Sequence, residues 1–379
     1  MPAPEVTFVL ANLRRDWPDL SLLDEDAIAA EPHRFVGGRN SWIAQGFLRL
    51  RAGLGAAGHV VRVAERPRPG TICVVHRDDL NAFGSRGDEA FLVVVRADRA
   101  PVTACDLAVV QNGVAVAPHE RFLPLWPQPG LIERDRSRGA RIRTIVYMGR
   151  DGAEPGWFAT LRRSRELAAR GLRFEVRTGR WHDYRDVDLV VAARDDARAV
   201  LDVKPATKVY NGWLAGVPVL AAPEPAYLEQ ARGPLDFIVV RGERDVLDAV
   251  ELLRSVPALY EAMVRNGRAR GADYDVDATR ARWLELFRTE VVPAFVAAQP
   301  GFAHRRGWFV GAMLRQKIAS RAWKARVWFA RARIGRKTGR GRSLGLGMPV
   351  PHTAGPAIGV RQPRVSPVRS RWRRSITVQ

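Results

Sequence analysis

Two lysines four residues apart open the segment Lys204-Pro205-Ala206-Thr207-Lys208, and the chain runs on through Asn211 into Gly216-Val217-Pro218-Val219. The segment reads as a lysine-bearing loop, a short helix opening near Lys208, a tight Ala-Gly turn and a buried strand (217–221) that ends in the Pro-rich loop Pro223-Glu224-Pro225. The first backbone N–H groups of a helix have no partner within it and lie at the positive end of its dipole. Two cations feeding such an end suit a diphosphate. The same Gly-x-Pro turn also serves packing alone, and in that reading both lysines are solvated charges.

A diphosphate site of this kind needs the carboxyl edge of a parallel sheet, and the second half of the chain supplies the pattern for one. It alternates strand 144–148, helix 157–170, strand 174–177, strand 187–192, helix 208–215, strand 218–221, strand 237–240 and helix 245–255. The loops after Met148, Ala192 and Ala221 fall on the ligand edge, and the 204–208 loop leads to it. The first half is also α/β. It has a strand at 5–11, a polar acidic insertion at 16–31, and a helix at 41–56 with Ile43, Phe47, Leu50 and Leu54 at helical spacing. Strands follow at 60–64, 71–75, 91–95 and 107–110.

Between the halves, the Pro-rich aromatic run 124–129 and the charged run 133–143 mark a linker. The expected organisation is a first domain over 1–125, a linker over 126–143, a second domain over 144–276, a terminal helical segment over 277–300 and a basic tail over 301–379. A long helix at 277–296 places Trp283, Leu286, Phe287 and Val291 on one stripe.

The formal net charge of +21 belongs to the tail. Residues 301–379 hold 19 Lys plus Arg and no Asp or Glu, which leaves 42 basic against 40 acidic residues in the first 300. A polycation seeks phosphates, in lipid headgroups or in nucleic acid. Residues 307–334 interleave Trp308, Phe309, Trp323, Trp328 and Phe329 with arginine and lysine, which suits an anionic membrane surface over 305–342. The stripe from Phe309 through Met313, Trp323 and Val327 is interrupted by Gln316 and Ser320, and beyond Arg342 the composition points to disorder. The tail leaves a second class open, nonspecific binding of nucleic acid, although no base-reading module accompanies it. Cys73 and Cys105 lie in apolar runs, as buried thiols do. With no basic start and apolar run of an export signal after Met1, and no stretch of 18 apolar residues, the expected setting is cytoplasmic, at most peripheral at a membrane.

Two motifs are misleading. Gly53-Leu54-Gly55-Ala56-Ala57-Gly58 satisfies G-x-G-x-x-G, but it closes a helix and precedes a strand, the reverse of a dinucleotide site. Asp186-Val187-Asp188 satisfies D-x-D, but it stands at the amino end of a strand and reads as a solvated strand start.

The Gly-Val-Pro-Val strand, the helix before it and Gly149-Arg150 at the end of an earlier strand resemble the nucleotide-binding half of GT-B glycosyltransferases. Lys-Pro-x-x-Lys followed by Gly-Val-Pro-Val is similar to a bacterial subgroup of them. The resemblance implies two Rossmann-like, doubly wound domains facing a cleft, with the last helices returning to the first domain. It implies a nucleoside-diphosphate sugar as co-substrate, a glycan or lipid-linked acceptor, and neither cofactor nor metal. By that resemblance Gly149, Arg150, Lys204, Thr207 and Lys208 bind the donor diphosphate, and Asn211 and Glu224 grip the sugar, with Glu224 expected among the catalytic residues. Asn211 serves equally by bonding backbone groups. Retaining families place two glutamates where this chain has Val203 and Asn211, which leaves the stereochemical outcome open.

On the acceptor side the resemblance implicates the loop Gly37-Gly38-Arg39. His33, His76 and His119 lie near strand ends, with His76 the leading base and Asp78 or Asp79 its alternatives. A nucleotide-sugar isomerase of the same fold is the rival enzyme.

Overall fold

The computed structural model describes residues 3–37, 39–83, 89–114, 116–149, 154–299 and 305–337, all within one contact unit, Met1–Gly341. In the first half β1 (Val6–Val9), α1 (Leu13–Asp16), α2 (Asp26–Ala30) and α3 (Arg39–Ala56) precede β2 (Val61–Ala64), β3 (Ile72–His76), β4 (Phe91–Val95), β5 (Leu107–Val110) and β6 (Glu120–Phe122). The second half runs β7 (Thr144–Met148), α4 (Phe158–Arg162), α5 (Arg165–Ala169), β8 (Arg173–Arg177), β9 (Leu189–Ala192), α6 (Arg198–Leu201) and α7 (Thr207–Leu214). It continues through β10 (Val219–Ala221), α8 (Pro225–Gln230), β11 (Ile238–Val239), α9 (Glu243–Ser255) and α10 (Pro257–Gly271). Last come α11 (Val276–Leu286), α12 (Val292–Ala298) and α13 (Arg305–Lys337).

The strands form two parallel sheets, ordered β2-β1-β3-β4-β5-β6 and β11-β10-β9-β7-β8. Both are doubly wound. The second has the strand order 2-1-3-4-5 of a nucleotide-binding sheet, with its topological switch between β7 and β9. The apolar runs of the first sheet are continuous because both faces are covered. Alternate residues go to opposite cores. Phe8, Val74 and Val93 pack under α3 with Phe47 and Leu50, while Val9, Val75, Leu92 and Val94 pack on the other face with Phe309 and Ala312 of α13.

The chain returns to the first sheet after the second: Trp283, Leu286, Phe287, Val291 and Phe295 join the α3 core. Gly53 makes this docking possible, since a Cβ there would lie 2.6 Å from Leu284 Cδ1. The Gly53–Gly58 run ends α3, with Gly58 in the left-handed region at φ +87°. Both cysteines are free and buried.

Four local expectations need correction. The segment 157–170 is two short helices, not one, because Ser164 leaves the helix and its hydroxyl caps α5 at the Leu167 N–H. The Pro-rich loop after β10 turns at once into α8, with Pro225 in the first turn, where its missing N–H costs nothing. Strand β6 and helix α10 were not anticipated: β6 is only three residues long, and α10 follows α9 with only Val256 between them.

The fourth concerns Asp188, which is not solvated but fully buried. Its carboxylate accepts Arg134 Nη2 at 2.8 Å, Arg138 Nη2 at 2.7 Å, and the backbone N–H groups of Arg143 and Thr144 at 2.8 and 2.9 Å. The charged linker supplies the arginines that an anion inside a sheet requires. The linker is held at its other end too, by Trp126 in the first core and by Gln128, whose N–H donates to Asn211 Oδ1 at 3.1 Å.

Candidate functional site

The switch point of the second sheet brings together the ends of β7, β9 and β10 and the start of α7. Tyr147, the penultimate residue of β7, is buried, and burial pushes its phenol up to about 12. Gly149 lets that ring fold across the turn, because a Cβ at 149 would lie 2.5 Å from Tyr147 Cε1. The ring in turn carries Lys208 from the first turn of α7, with Nζ 3.8 Å from its centroid.

Two residues past β9, Arg194 reaches across to Glu224 just after β10. Its Nη1 donates to Glu224 Oε2, its Nη2 donates to Pro205 O at 3.3 Å, and its guanidinium lies 5.4 Å from the Tyr227 ring centroid. Glu224 is 2% exposed. Glu224 Oε1 and Thr207 Oγ1 have no hydrogen-bond partner among the described residues.

The charges are unevenly satisfied. Burial opposes the Arg194 charge, yet Tyr227 and Glu224 raise its pKa above that of an ordinary arginine. Burial raises Glu224, partly offset by Arg194. Burial and then repulsion by Arg194 hold Lys208 well below the usual lysine range. Arg194 and Lys208 thus sit as two close cations with one carboxylate, Glu224, between them in the same buried cluster.

The other sequence-selected residues take varied places. Lys204 is held by Asp98 of the first half, an ion pair across the two sheets, and Asn112 Nδ2 donates to the carbonyls of Leu201 and Lys204 at 3.2 and 3.0 Å. Asp98 also binds Arg99 Nη1 at 2.8 Å and follows Ala97, a buried alanine in the left-handed region at φ 57°. That backbone costs about 1–2 kcal/mol. Asn211 is buried and spends its carbonyl on the linker, the backbone role left open by its sequence.

Arg150 and Gly38 lie outside the described residues, as does the side chain of Arg39. Gly37 is left-handed at φ +73°, and its carbonyl accepts Ser41 Oγ at 2.8 Å as α3 begins.

His76 closes β3 but is 1% exposed, tilted against Trp42 at 5.5 Å, and its Nδ1 accepts the Asp78 N–H at 3.2 Å. Asp78 pairs with Arg99 Nε at 2.8 Å, Asp79 is fully buried, and His119 Nε2 donates to Val102 O at 2.9 Å. His33 lies in a short 3₁₀ turn before α3. Sequence reasoning missed Arg194, Tyr147, Tyr227 and Asp98. Of these, Arg194 left a signal, a cation two residues beyond a buried strand at the ligand edge. Among the described residues, no group of three or more His, Cys, Asp or Glu is placed to hold a metal ion.

No family model matches this chain, and no curated protein matches it. Solved structures do. A sucrose-phosphate synthase from Thermosynechococcus elongatus is 14% identical over 49% of this chain and 59% of its own, with a TM-score of 0.36. Anabaena HepE in complex with UDP and glucose is 11% identical over 76% of this chain and 100% of its own, at 0.45. A glycosyltransferase from Rickettsia africae is 8% identical over 76% of this chain and 98% of its own, at 0.43. The chain thus spans about three fifths of the synthase's length. The functional reading rests on the geometry of the site.

Proposed function

We propose that the chain is a glycosyltransferase that takes a sugar from a nucleoside-diphosphate donor held at the switch point of the second sheet. One observation carries the reading: at the carboxyl edge of a doubly wound sheet, Arg194 and Lys208 converge on the α7 amino end beside Glu224 Oε1 and Thr207 Oγ1, which have no hydrogen-bond partner among the described residues. The α7 N–H groups, the Thr207 hydroxyl and Lys208 take the diphosphate. Glu224 Oε1 is left to accept a hydroxyl of the donor sugar.

As the bond from the anomeric carbon to the leaving oxygen breaks, negative charge builds on the diphosphate. Cations already in place stabilise it more in the transition state than in the bound donor. In this reading the reaction runs without a metal. The acceptor is a surface polysaccharide or lipid-linked glycan approaching from the first sheet, and Lys204 joins the donor when Asp98 releases it.

The test is a thermal-shift and calorimetric screen of the protein against UDP, GDP, ADP and their sugar conjugates, since a ligand of the folded state alone raises its stability. One diphosphate is expected to bind, to lose affinity in Lys208→Ala and to keep it in Lys317→Ala. Failure of the whole panel to bind, or equal affinity in the three proteins, removes the assignment. Product analysis with and without a glycan acceptor then distinguishes transfer from isomerisation.

A further inference from the structure

Helix α13 is about 50 Å long, and among the described residues only one of its sides packs on the protein. Phe309, Ala312, Gln316 and Val327 are buried. Gln316 Oε1 accepts the N–H groups of Thr103 and Ala104 at 3.0 and 3.2 Å, and Arg331 Nε and Nη2 each reach Asp196 at 2.8 Å. The stripe that the sequence offers for a membrane, from Phe309 to Val327, therefore faces the protein.

The opposite side is apolar as well. Val310, Leu314 and Ile318 follow one another at four-residue intervals and are 55%, 61% and 60% exposed, and Trp328 and Phe329 further along are 48% and 59% exposed. At about 100° per residue these five fall in one sector of about 120°, which Gly307, Gly311, Ala322 and Ala325 complete; between 305 and 333 Arg321 alone enters it with a charge. Six exposed cations border it, Arg306, Lys317 and Lys324 along one flank and Arg315, Arg326 and Arg333 along the other. No carboxylate occurs anywhere from 301 onward to repel an anionic surface.

We infer that this outward face of α13 is a docking surface for an anionic lipid bilayer, lying flat in the headgroup region with the helix parallel to the membrane. The chemistry selects that partner. Aliphatic side chains in the middle gain by entering the acyl boundary, tryptophan settles at the interface, and flanking lysines and arginines extend to lipid phosphates. Nucleic acid rewards the cations and the rings but gives nothing for Val310, Leu314 and Ile318. Among the described residues no helix is long and apolar enough to cross a membrane, so contact is from one side. This inference does not depend on the donor site.

The experiment is co-sedimentation of the full chain with vesicles of phosphatidylcholine alone and of phosphatidylcholine with about one quarter phosphatidylglycerol. Wild type is expected to bind the anionic vesicles and leave the neutral ones. The double variant Leu314→Asp with Ile318→Asp, at exposed positions that join none of the buried clusters among the described residues, is expected to weaken that binding by about tenfold or more. Leu252→Asp, an exposed leucine on α9, is expected to leave it unchanged. Thermal unfolding and circular dichroism of each variant establish that it is folded. Undiminished vesicle binding by the folded double variant overturns the proposal and assigns attraction to the other basic residues of the tail. Two other outcomes also overturn it: single-stranded RNA binding, without vesicle binding, that the same variant abolishes, and a wild-type dimer that the variant makes monomeric.

Discussion

Replacing Lys208 by methionine keeps the length and apolar body of the side chain while deleting its charge, and it separates what that charge does for binding from what it does for folding. The amine sits over the Tyr147 ring within reach of Arg194's field, and burial and repulsion together depress its pKa. If it binds a diphosphate, one charge-assisted hydrogen bond is lost, about 1.5–3 kcal/mol, which weakens affinity about ten- to a hundredfold. Stability moves the other way, because the folded chain disfavours the ammonium and a neutral side chain escapes that penalty.

The pH dependence follows from the same shift. An unfolded lysine holds its proton to about pH 10.4, whereas folded Lys208 releases it at lower pH. Between those two values the unfolded chain binds more protons, so Lys208's contribution to stability rises with pH across the window, and its penalty is complete below the folded pKa. Diphosphate affinity falls with rising pH over the same window as the amine loses its charge. Calorimetric titration of the diphosphate and urea unfolding, each from pH 6 to about 10, measure both slopes. A Lys208→Met protein that is less stable than wild type and binds the diphosphate equally well refutes the reasoning.

Asp188→Ala leaves Arg134 buried without its partner and is expected to cost about 3–5 kcal/mol in urea unfolding. Burial raises the Asp188 pKa, but Arg138, the Thr144 and Arg143 N–H groups and Arg134 outweigh it, and the net value lies below the ordinary range. Its contribution is therefore present above the unfolded pKa near 3.9 and lost as pH falls through the folded one, so the variant should show a shallower acid transition. Asp98→Asn loosens the hold on Lys204 and is expected to tighten diphosphate binding severalfold, about 0.5–1 kcal/mol for a partly exposed pair; unchanged affinity in calorimetry would assign Lys204 to the contact between the two halves alone. Gly53→Val drives a side chain into Leu284 and is expected to cost about 1–3 kcal/mol, with faster proteolysis at α11 as the readout.

Much of the layering was readable because a strand covered on both faces is a continuous apolar run, and Phe91–Val95, Leu107–Val110 and Thr144–Met148 are such runs, bounded as the sequence implies. Period-two strands and period-3.6 helices leave one-dimensional traces. The breaks did not. Ser164 stops a helix whose apolar spacing continues through it, and Glu120–Phe122 is a strand chiefly because β5 offers it an edge.

The site was legible by element and not by partner. The Lys204–Lys208 motif does lie at the sheet edge, but which cation meets which carboxylate depends on loops that approach from far along the chain. Asp98 and Lys204 are 106 residues apart, and Arg194 and Glu224 are 30 apart. Asp188 shows the same limit from the other side: D-x-D looks hydrated until the linker arginines fold over it.

The long helix at the end of the described chain is fastened twice, by Phe309 and Ala312 to the first half and by Val327 beside Ala197 and Val200 to the second. A rod riveted to two plates determines how they can swing. Separating the halves along it would unseat Val327 and break the Arg331 fork. Its far end is seated on Asp196, Ala197 and Val200, the segment that directly follows Arg194, so the brace ties the first sheet to the loop that carries that guanidinium.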